Sequence, residues 1–495
     1  MDVAEALAQA FSHLDAGRPA EARRLARALD GRRPEPPGLA YLQGLLALAD
    51  GQGRKAAQHL ARALARTPDA VPPLLAMARA QQMQGRLAEA LAAYRRLIVT
   101  APDVVEALSE LAELLLAARR YPDARVLLLW ARRLRPDRGR ICNNLGVAER
   151  AVGHLAAAVA CFAAAVADDP AAAKAYANLA GGWRPLGRIA DACSAACRAV
   201  ILAADDAAHW LESGQARAAA GDHEGAVADF TEAARRTPGR PEPLWLAAGS
   251  LAALGRRDAA AEHYRRVLAA DPADTFGAAA ALAQLGAGEA PERTADAHLR
   301  TLYDQYAATF DDDLVDRLEY RGPEILAAAI GRTLGPGPFH ILDAGCGTGL
   351  SGMALKPLAR RLDGVDLSPR MAEQAGRRGV YDNVEVGDLI GTLRAHPLSY
   401  DLVAAADVLI YQGDLTPVML AASAALRPGG GFAFTVERGE EAFQLRASGR
   451  YAHSAAHLRA AAAAAGLLVR LVEETSTRRE GGHPVPGLVC VLTKP

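Results

Sequence analysis

A spacing of 34 residues recurs through the first 274 positions and restricts the fold more than any other feature. Three kinds of residue repeat at this spacing in one register: a proline, a small alanine and a glycine. They are Pro34, Pro68, Pro102, Pro136, Pro170, Pro238 and Pro272; Ala22, Ala56, Ala90, Ala124, Ala158, Ala192, Ala226 and Ala260; and Gly17, Gly51, Gly85, Gly153, Gly187, Gly221 and Gly255. Ala204 and Arg119 stand in the two gaps. Such a register predicts a tandem array of one structural unit.

The three markers predict a unit of two helices joined by a turn. The glycine is expected to end the first helix in the left-handed conformation, and the proline to lie just past the second. The alanine is expected where the two helices approach closely, and large residues four positions later are expected to fill the gap between them. These are Tyr94, Phe162, Phe230 and Tyr264.

Over residues 3–274 this pattern resembles the tetratricopeptide repeat family. The resemblance implies a right-handed superhelix whose concave face holds a peptide or protein partner. Asn144, Asn178 and Arg184 occupy positions expected on that face, where amides could bond a peptide backbone and the arginine a carboxylate. The alternative is an ordinary solvated polar face.

The region after the repeats predicts a boundary between domains. Residues 275–285 predict one more helix that covers the last repeat, and residues 286–291 form a linker rich in glycine and proline. We therefore expect a repeat domain at 1–274, a capping helix and linker at 275–299, and a further domain at 300–495. In this last domain, Tyr306 lies on the apolar side of a predicted leading helix.

From residue 339 onward, apolar runs alternate with helical patterns. Strands are predicted at 339–344, 362–367, 384–386, 402–406, 431–437, 467–473 and 487–493, and helices at 349–359, 369–377, 414–425 and 454–465. This alternation predicts a seven-stranded, Rossmann-like α/β fold with a parallel sheet covered on both faces. In such sheets a ligand binds beyond the carboxyl ends of the strands.

The run Ile341–Leu350 predicts a strand that turns directly into a helix through a glycine loop. Gly345, Gly347 and Gly349 allow a ligand to approach the main chain, and the loop N–H groups face that ligand. The dinucleotide fingerprint G-x-G-x-x-G would place its third glycine at position 350. This chain has Leu350 there and its third glycine one residue earlier, so the loop differs from the fingerprint.

An acidic residue lies at, or just after, the end of each of the first four predicted strands. These residues are Asp343, Asp366, Asp388 and Asp407. Because neighbouring carboxylates repel one another, a ligand there must offer hydroxyls or positive charge. A nucleoside with ribose hydroxyls, an adenine amine and a positive sulfur meets this need, whereas a pyrophosphate does not.

Residues 300–495 resemble the class I S-adenosylmethionine-dependent methyltransferases, through the glycine loop, Val365–Ser368, Gly387–Leu389, Tyr400–Val403 and Ala424–Gly430. The whole layout resembles predicted bacterial methyltransferases that carry tetratricopeptide repeats. The resemblance implies that S-adenosyl-L-methionine binds with its methionine part on Gly345 and Gly347, its ribose on Asp366 and its adenine amine on Asp388. The complete set of expected contacts is Asp343, Gly345, Cys346, Gly347, Gly349, Asp366, Leu367, Asp388, Leu389 and Asp407.

Candidates for the acceptor side come from several segments. His453, Tyr306 and Tyr411 are candidate catalytic residues, since both residue types can act in proton transfer and a histidine titrates near neutral pH. Arg450 could hold an acceptor carboxylate. The alternatives are that His453 merely precedes a helix, that Tyr306 packs or forms a lid, and that Arg450 lies in a solvated segment.

The rest of the sequence narrows the function. A net charge of −1 makes nucleic acid an unlikely partner, and the six cysteines lack the spacing of a zinc site. No signal segment or membrane-length apolar run occurs, so we expect a cytoplasmic protein. The expected activity is methyl transfer to oxygen or nitrogen of a small molecule or of a recruited peptide. The alternative is an adaptor with a residual cofactor domain; nicotinamide binding is a weaker one.

Overall fold

The computed structural model describes residues 2–32, 34–135, 139–307, 310–314 and 318–495. By packing, the chain divides into two compact units, Met1–Asp222 and His223–Pro495. The predicted domain limits at 274 and 299 follow the repeat pattern and stay a prediction. Throughout the described ranges, every helix is too short or too polar to cross a lipid bilayer.

The first unit consists of paired helices. They are α1 (Val3–Asp15), α2 (Pro19–Leu29), α3 (Leu39–Ala49), α4 (Gly53–Arg66), α5 (Val71–Met83), α6 (Leu87–Thr100), α7 (Val105–Ala117), α8 (Tyr121–Leu134), α9 (Gly139–Ala151), α10 (Leu155–Asp168), α11 (Ala173–Trp183), α12 (Ile189–Leu202) and α13 (Ala207–Ala219), with a 3-10 turn at Arg184–Leu186. The predicted helix–turn–helix units are therefore confirmed.

The sequence markers fall where the helices require them. The eight marker alanines are all fully buried in the two units. The marker glycines have positive φ angles, and Arg119, which fills the one gap, adopts the same conformation with φ 57°. The left-handed turn is thus kept even where glycine is absent. Pro136 lies outside the described residues.

The pair of α9 and α10 leaves no room for a side chain at position 146, where the two helices approach closely. A Cβ atom added to Gly146 would lie 2.5 Å from Cε1 of Phe162, whose ring is fully buried between α9 and α10. Phe162 is one of the large residues predicted to fill the gap between helices. The small residue at position 146 therefore follows from the large one at 162.

The second unit continues with helices and then adds the sheet. Its helices are α14 (His223–Arg236), α15 (Pro241–Ala253), α16 (Arg257–Ala270), α17 (Ala278–Gln284), α18 (Asp296–Tyr306), α19 (Phe310–Asp312), α20 (Gly322–Leu334), α21 (Leu350–Leu355), α22 (Pro369–Arg377), α23 (Leu389–Ala395), α24 (Thr416–Ala425) and α25 (Ala455–Ala464). Short 3-10 turns lie at Lys356–Leu358 and Leu409–Tyr411. Ala278 and Leu282 of α17 pack with Leu251 and Tyr264 of the preceding helix pair.

The strands of the second unit are β1 (Phe339–Ala344), β2 (Ala359–Asp366), β3 (Asn383–Val386), β4 (Tyr400–Ala405), β5 (Leu426–Arg438), β6 (Phe443–Leu445), β7 (Tyr451–His453), β8 (Leu468–Thr475), β9 (Arg479–Glu480), β10 (His483–Pro484) and β11 (Gly487–Thr493). The main sheet has the order β3-β2-β1-β4-β5-β11-β8. Strands β1 to β5 are parallel, as predicted, whereas β11 runs antiparallel to both neighbours.

Successive residues of a strand point to opposite faces of the sheet, and helices pack against the apolar side chains of both faces. Leu342 and Val403 pack in a cluster with Met419 of α24. Their chain neighbours Ile341 and Leu402 pack in a second cluster with α20. With both faces covered, the carboxyl edge of β1 to β4 remains as the place for a ligand.

Candidate functional site

The carboxyl ends of β1, β2, β3 and β4 open into one cavity of about 190 Å³. Residues from the helix before the sheet, including Asp296, Leu299 and Tyr303 of α18, complete its wall. The candidate residues that line it are Gly345, Cys346, Gly347, Asp366, Leu367, Asp388, Leu389, Asp407, Tyr411 and Arg450. Residues from four strand ends therefore meet in one cavity, but Asp343, the first of the four predicted acids, is not among those that line it.

The glycine loop after β1 needs glycine at each of its three positions. Gly345, Gly347 and Gly349 have φ angles of 77°, 54° and 98°. A Cβ on Gly345 would lie 2.4 Å from Cγ2 of Val408, so this position has no room for a side chain. A Cβ on Gly347 would meet only Cε1 of Phe310 at 3.7 Å, so the backbone here is open to the cavity.

Tyr381 supports the loop from behind. Cβ atoms on Gly349 and Gly352 would lie 3.2 and 2.4 Å from its ring atoms, so both glycines make room for that ring. Its hydroxyl donates a hydrogen bond to Oδ2 of Asp343 at 2.6 Å, as does the Ser351 hydroxyl. Burial raises the pKa of Asp343 to about 6. Asp343 thus braces the loop from outside the cavity wall.

Asp366 at the end of β2 is the carboxylate best placed for a ribose. Its Oδ2 accepts the Gly347 N–H at 2.8 Å, and its Oδ1 accepts the Ser368 N–H at 2.8 Å. Burial raises its pKa. Each carboxylate oxygen has two lone pairs, so a further acceptor position on each remains for a ligand hydroxyl.

Asp388 lies after β3 and begins α23. Its carboxylate accepts the N–H groups of Ile390 at 3.2 Å and Gly391 at 2.7 Å. It also faces the Arg293 guanidinium, with Nη1 3.5 Å from Oδ1. An exocyclic amine can donate to such a carboxylate. Carboxylates spread along the cavity fit a nucleoside with hydroxyls and an amine, and they disfavour a pyrophosphate.

Asp407 lies at the other end of the cavity and has protein partners on both oxygens. Oδ1 accepts the Thr435 hydroxyl at 2.6 Å, and Oδ2 accepts the Thr477 hydroxyl at 2.7 Å. Arg478 also faces Oδ2 at 3.3 Å. These contacts hold the Asp407 carboxylate in place at the cavity wall.

Arg478 is a site residue that sequence reasoning missed. Its side chain is only 5% exposed, and it bonds Glu437 and Glu480 as well as Asp407. Arg450 joins the same network through Glu480. No motif surrounds residue 478, and its partners Asp407 and Glu437 are distant in sequence, so no pattern along the chain could have identified it.

Two tyrosines meet beside this network. The hydroxyl oxygens of Tyr303 and Tyr411 lie 2.5 Å apart, and their rings meet edge to face at 6.0 Å. Burial, followed by the neighbouring Tyr411, raises the pKa of Tyr303 well above its ordinary value. Tyr303 therefore stays neutral and can donate or accept a hydrogen bond at the cavity wall.

His453 and Tyr306 lie away from the cavity lining. His453 is fully buried, and its Nε2 donates to the carbonyls of Gln412 at 2.8 Å and Gly413 at 3.1 Å. Burial lowers its pKa to about 4. The Tyr306 ring packs on Phe310 with centroids 5.4 Å apart. Both placements favour the structural alternatives to the predicted catalytic roles.

The predicted peptide-binding residues of the first unit bond neighbouring repeats. Asn144 donates to Oε1 of Glu113 at 2.9 Å, and Asn178 donates to Oδ1 of Asn143 at 2.9 Å. Arg184 donates to Glu212 at 3.0 Å. A peptide that used these groups would have to exchange with contacts between repeats.

Comparisons with known proteins agree with both parts of the architecture. The methyltransferase domain family matches residues 342–432, which hold the glycine loop and Asp366, Asp388 and Asp407. Tetratricopeptide repeat families match residues 7–71, 47–104, 186–241 and 211–275. The second unit therefore contains a methyltransferase domain, and the helix pairs before it are tetratricopeptide repeats.

Particular relatives share only parts of the chain. Methyltransferase-like protein 27 of Homo sapiens is 41% identical over 88 residues, which cover 17% of this chain and 35% of that protein. The ubiquinone biosynthesis O-methyltransferase of Xanthomonas campestris pv. campestris (strain B100) is 28% identical over 169 residues, 32% of this chain and 70% of that protein. The chain thus spans about a third of the first relative's length.

Among solved structures, a tetratricopeptide repeat protein from Parabacteroides merdae ATCC 43184 is similar to the repeat part. It is 18% identical, has a TM-score of 0.38, and the match covers 50% of this chain and 98% of that one.

Proposed function

We propose that this protein transfers a methyl group from S-adenosyl-L-methionine to an oxygen or nitrogen atom of a small molecule or of a peptide that the repeats recruit. One observation carries the proposal. A single cavity joins the open backbone of Gly347 and the carboxylates of Asp366 and Asp388 to Tyr411 and Arg450. One part offers acceptors for a nucleoside, and the other offers polar groups for an acceptor molecule.

The cofactor supplies a methyl group already activated by a positively charged sulfur. The protein's task is therefore to bind, to align the acceptor and to exclude water. Asp366 would accept the ribose hydroxyls and Asp388 the adenine amine. Gly345 and Gly347 would let the methionine part lie against the main chain, while Asp343 supports the loop from behind.

We favour an oxygen acceptor. Several relatives carry the name O-methyltransferase, and the Tyr303–Tyr411 hydroxyl pair offers hydrogen bonds that suit a substrate hydroxyl. Tyr411 is the better candidate to orient that hydroxyl, since it lines the cavity, unlike His453. Arg450 would hold a carboxylate or another polar group of the same acceptor.

The repeats would bind the protein or peptide partner. Tetratricopeptide arrays commonly bind peptides along their concave faces, and Asn144, Asn178 and Arg184 are our candidates for that contact. The proposal also includes a cytoplasmic location. It is supported by Cys161, Cys193, Cys197, Cys346 and Cys490, which form no disulfide.

A labelled-methyl transfer assay tests the proposal. The purified chain, labelled cofactor and fractions of a cell lysate are incubated, and the label is sorted into protein, nucleic acid and small-molecule pools. We expect label in the protein or small-molecule pool, with loss of that label in the Asp366→Ala variant. Label in none of the pools, together with cofactor binding, would favour the alternative of an adaptor with a residual cofactor domain.

A further inference from the structure

The segment Pro291–Asp296, here called the strap, joins the repeat part to the methyltransferase domain and docks on the carboxyl edge of the sheet. The Gly413 N–H donates to the Glu292 carbonyl at 2.7 Å, and the Thr294 N–H donates to the Tyr411 carbonyl at 2.9 Å. Between these bonds, Arg293 pairs with Gln412 as an isolated antiparallel bridge. The backbone of the strap is therefore fixed beside the cavity.

From this fixed backbone, the Arg293 side chain reaches two carboxylates of the cavity wall. Its Nη2 donates to Oδ2 of Asp296 at 2.9 Å, and its Nη1 lies 3.5 Å from Oδ1 of Asp388. Both Asp296 and Asp388 line the cavity. At 3.5 Å, the contact between Arg293 and Asp388 is a charge interaction more than a short hydrogen bond.

The hydrogen bonds of Asp388 leave a defined place for a ligand donor. An ionised carboxylate can accept about four hydrogen bonds. Two backbone N–H groups, of Ile390 and Gly391, occupy two of these positions, and the Arg293 guanidinium faces a third. One position remains for a ligand donor.

We propose that Arg293 is a positioning residue that makes the site selective for a 6-aminopurine. It holds Asp388 oriented so that the carboxylate accepts the 6-amino group of adenine and repels the 6-oxo group of hypoxanthine. This inference rests on the proposed function, in which Asp388 contacts the adenine. The determinant lies in the strap, outside the matched residues 342–432 of the methyltransferase domain.

The test is calorimetric binding of two ligands to the full chain: S-adenosylhomocysteine and S-inosylhomocysteine, which differ in the 6-substituent of the purine. We expect the wild-type chain to prefer the adenosyl ligand by roughly tenfold or more, because a hydrogen-bonding site rejects a mismatched group. Arg293→Ala should lower this preference by about 3- to 10-fold, mainly through weaker adenosyl binding, because a partly exposed charge contact has a modest strength. Arg293→Lys keeps the charge and should be intermediate.

Arg332→Ala is the matched control. Arg332 makes an exposed ion pair with Glu473 at 2.7 Å, and neither residue lines the cavity. This variant should keep both affinities. If Arg293→Ala weakens both ligands by the same factor, the strap serves only the shape of the site and the inference is overturned.

The outcomes separate the inference from the proposed function. Failure of the wild-type chain to bind either ligand would overturn the proposed function and the inference with it. A wild-type chain that prefers the adenosyl ligand, with an unchanged preference in both the Ala and the Lys variants, would overturn the role of Arg293 alone. A reduced preference in Arg293→Ala, with an intermediate preference in Arg293→Lys, supports it.

Discussion

His453 shows how burial changes what a histidine can do. With a pKa of about 4, it is neutral in the folded chain at neutral pH, and its Nε2 donates to two backbone carbonyls. In the unfolded chain its pKa returns to roughly 6.5. Since the unfolded state then binds the extra proton, the folded state loses stability as pH falls from about 6.5 to about 4.

We therefore expect His453→Gln to reduce the pH dependence of unfolding. The wild-type chain should lose about 2 kcal/mol from this group between pH 7 and pH 5, on the basis of the two pKa values. Denaturant unfolding of both chains at the two pH values measures the difference. An equal loss in the variant would show that His453 does not carry this dependence.

The second prediction for a single residue concerns the hydroxyl of Tyr411, which pairs with that of Tyr303. Tyr411→Phe removes the hydroxyl that faces the cavity and should lower the methyl-transfer rate by about 10-fold or more. Binding of S-adenosylhomocysteine should stay within about twofold, because Asp366 and Asp388, the proposed ribose and adenine contacts, lie at other strand ends. Rates and calorimetry on the same preparation measure both.

Tyr400→Phe provides the control for that variant. Tyr400 is also buried, but its ring contacts His340 and His396 and it does not line the cavity. It should leave the rate unchanged. A normal rate in Tyr411→Phe would exclude Tyr411 from the reaction.

Single residues also show the reach of sequence reasoning. Asp366 was identified because a strand pattern ends at it and a glycine loop precedes it by a typical distance. Arg293 and Arg478 have no such local pattern, and they meet Asp388 and Asp407 only after folding, across 95 and 71 residues. A residue's position at a strand end can be predicted from its neighbours in sequence. A contact between residues that only the fold brings together cannot.

At the level of the helix pair, Gly146 sets the distance between α9 and α10. Gly146→Ala would place a methyl group against the buried Phe162 ring and should destabilise the chain by about 1–3 kcal/mol. Gly331→Ala in α20 has nothing within 4 Å of its added Cβ and should stabilise its helix by up to about 1 kcal/mol. Thermal unfolding of both variants should therefore shift in opposite directions, and a shift of both in one direction would contradict this account.

The predicted peptide contacts are also tested at the level of elements. Asn144 and Asn178 lie at equivalent positions of α9 and α11, and each bonds a residue of a nearby repeat helix. We expect the double substitution to Ala to weaken capture of a partner at least several-fold. Gln9→Ala, at an exposed amide on α1, is the control, and unchanged capture by the double variant would refute peptide contact at these positions.

Elements with a strong period were predictable, and short irregular ones were not. The strands β1 and β11 begin and end where the apolar runs predict. The pairs β6–β7 and β9–β10 have two or three residues in each strand, which is too few to show an alternation. The antiparallel direction of β11 was also hidden, because a continuous apolar run has the same sequence pattern in either direction.

For the whole molecule, the predicted combination of repeats and a Rossmann-like methyltransferase domain is confirmed. Local markers were enough for the repeats, since each contacts mainly its neighbours. The acceptor could not be predicted in the same way. The cavity is lined by Tyr303, Tyr411 and Arg478, among others, and these residues come from three separate segments with no common motif.

The central claim is that the carboxylate at the end of β2 binds the cofactor ribose. Asp366→Asn keeps the size of the side chain but removes its charge, whereas Asp382→Asn changes an exposed carboxylate that bonds the same strand outside the cavity. Calorimetry with S-adenosylhomocysteine is the direct measurement. We predict binding to the wild-type chain and to Asp382→Asn with similar affinity, and an affinity roughly 10- to 100-fold weaker for Asp366→Asn, because a hydrogen bond to a charged group is lost. Equal affinity of all three chains, or no binding by the wild-type chain, would contradict the claim.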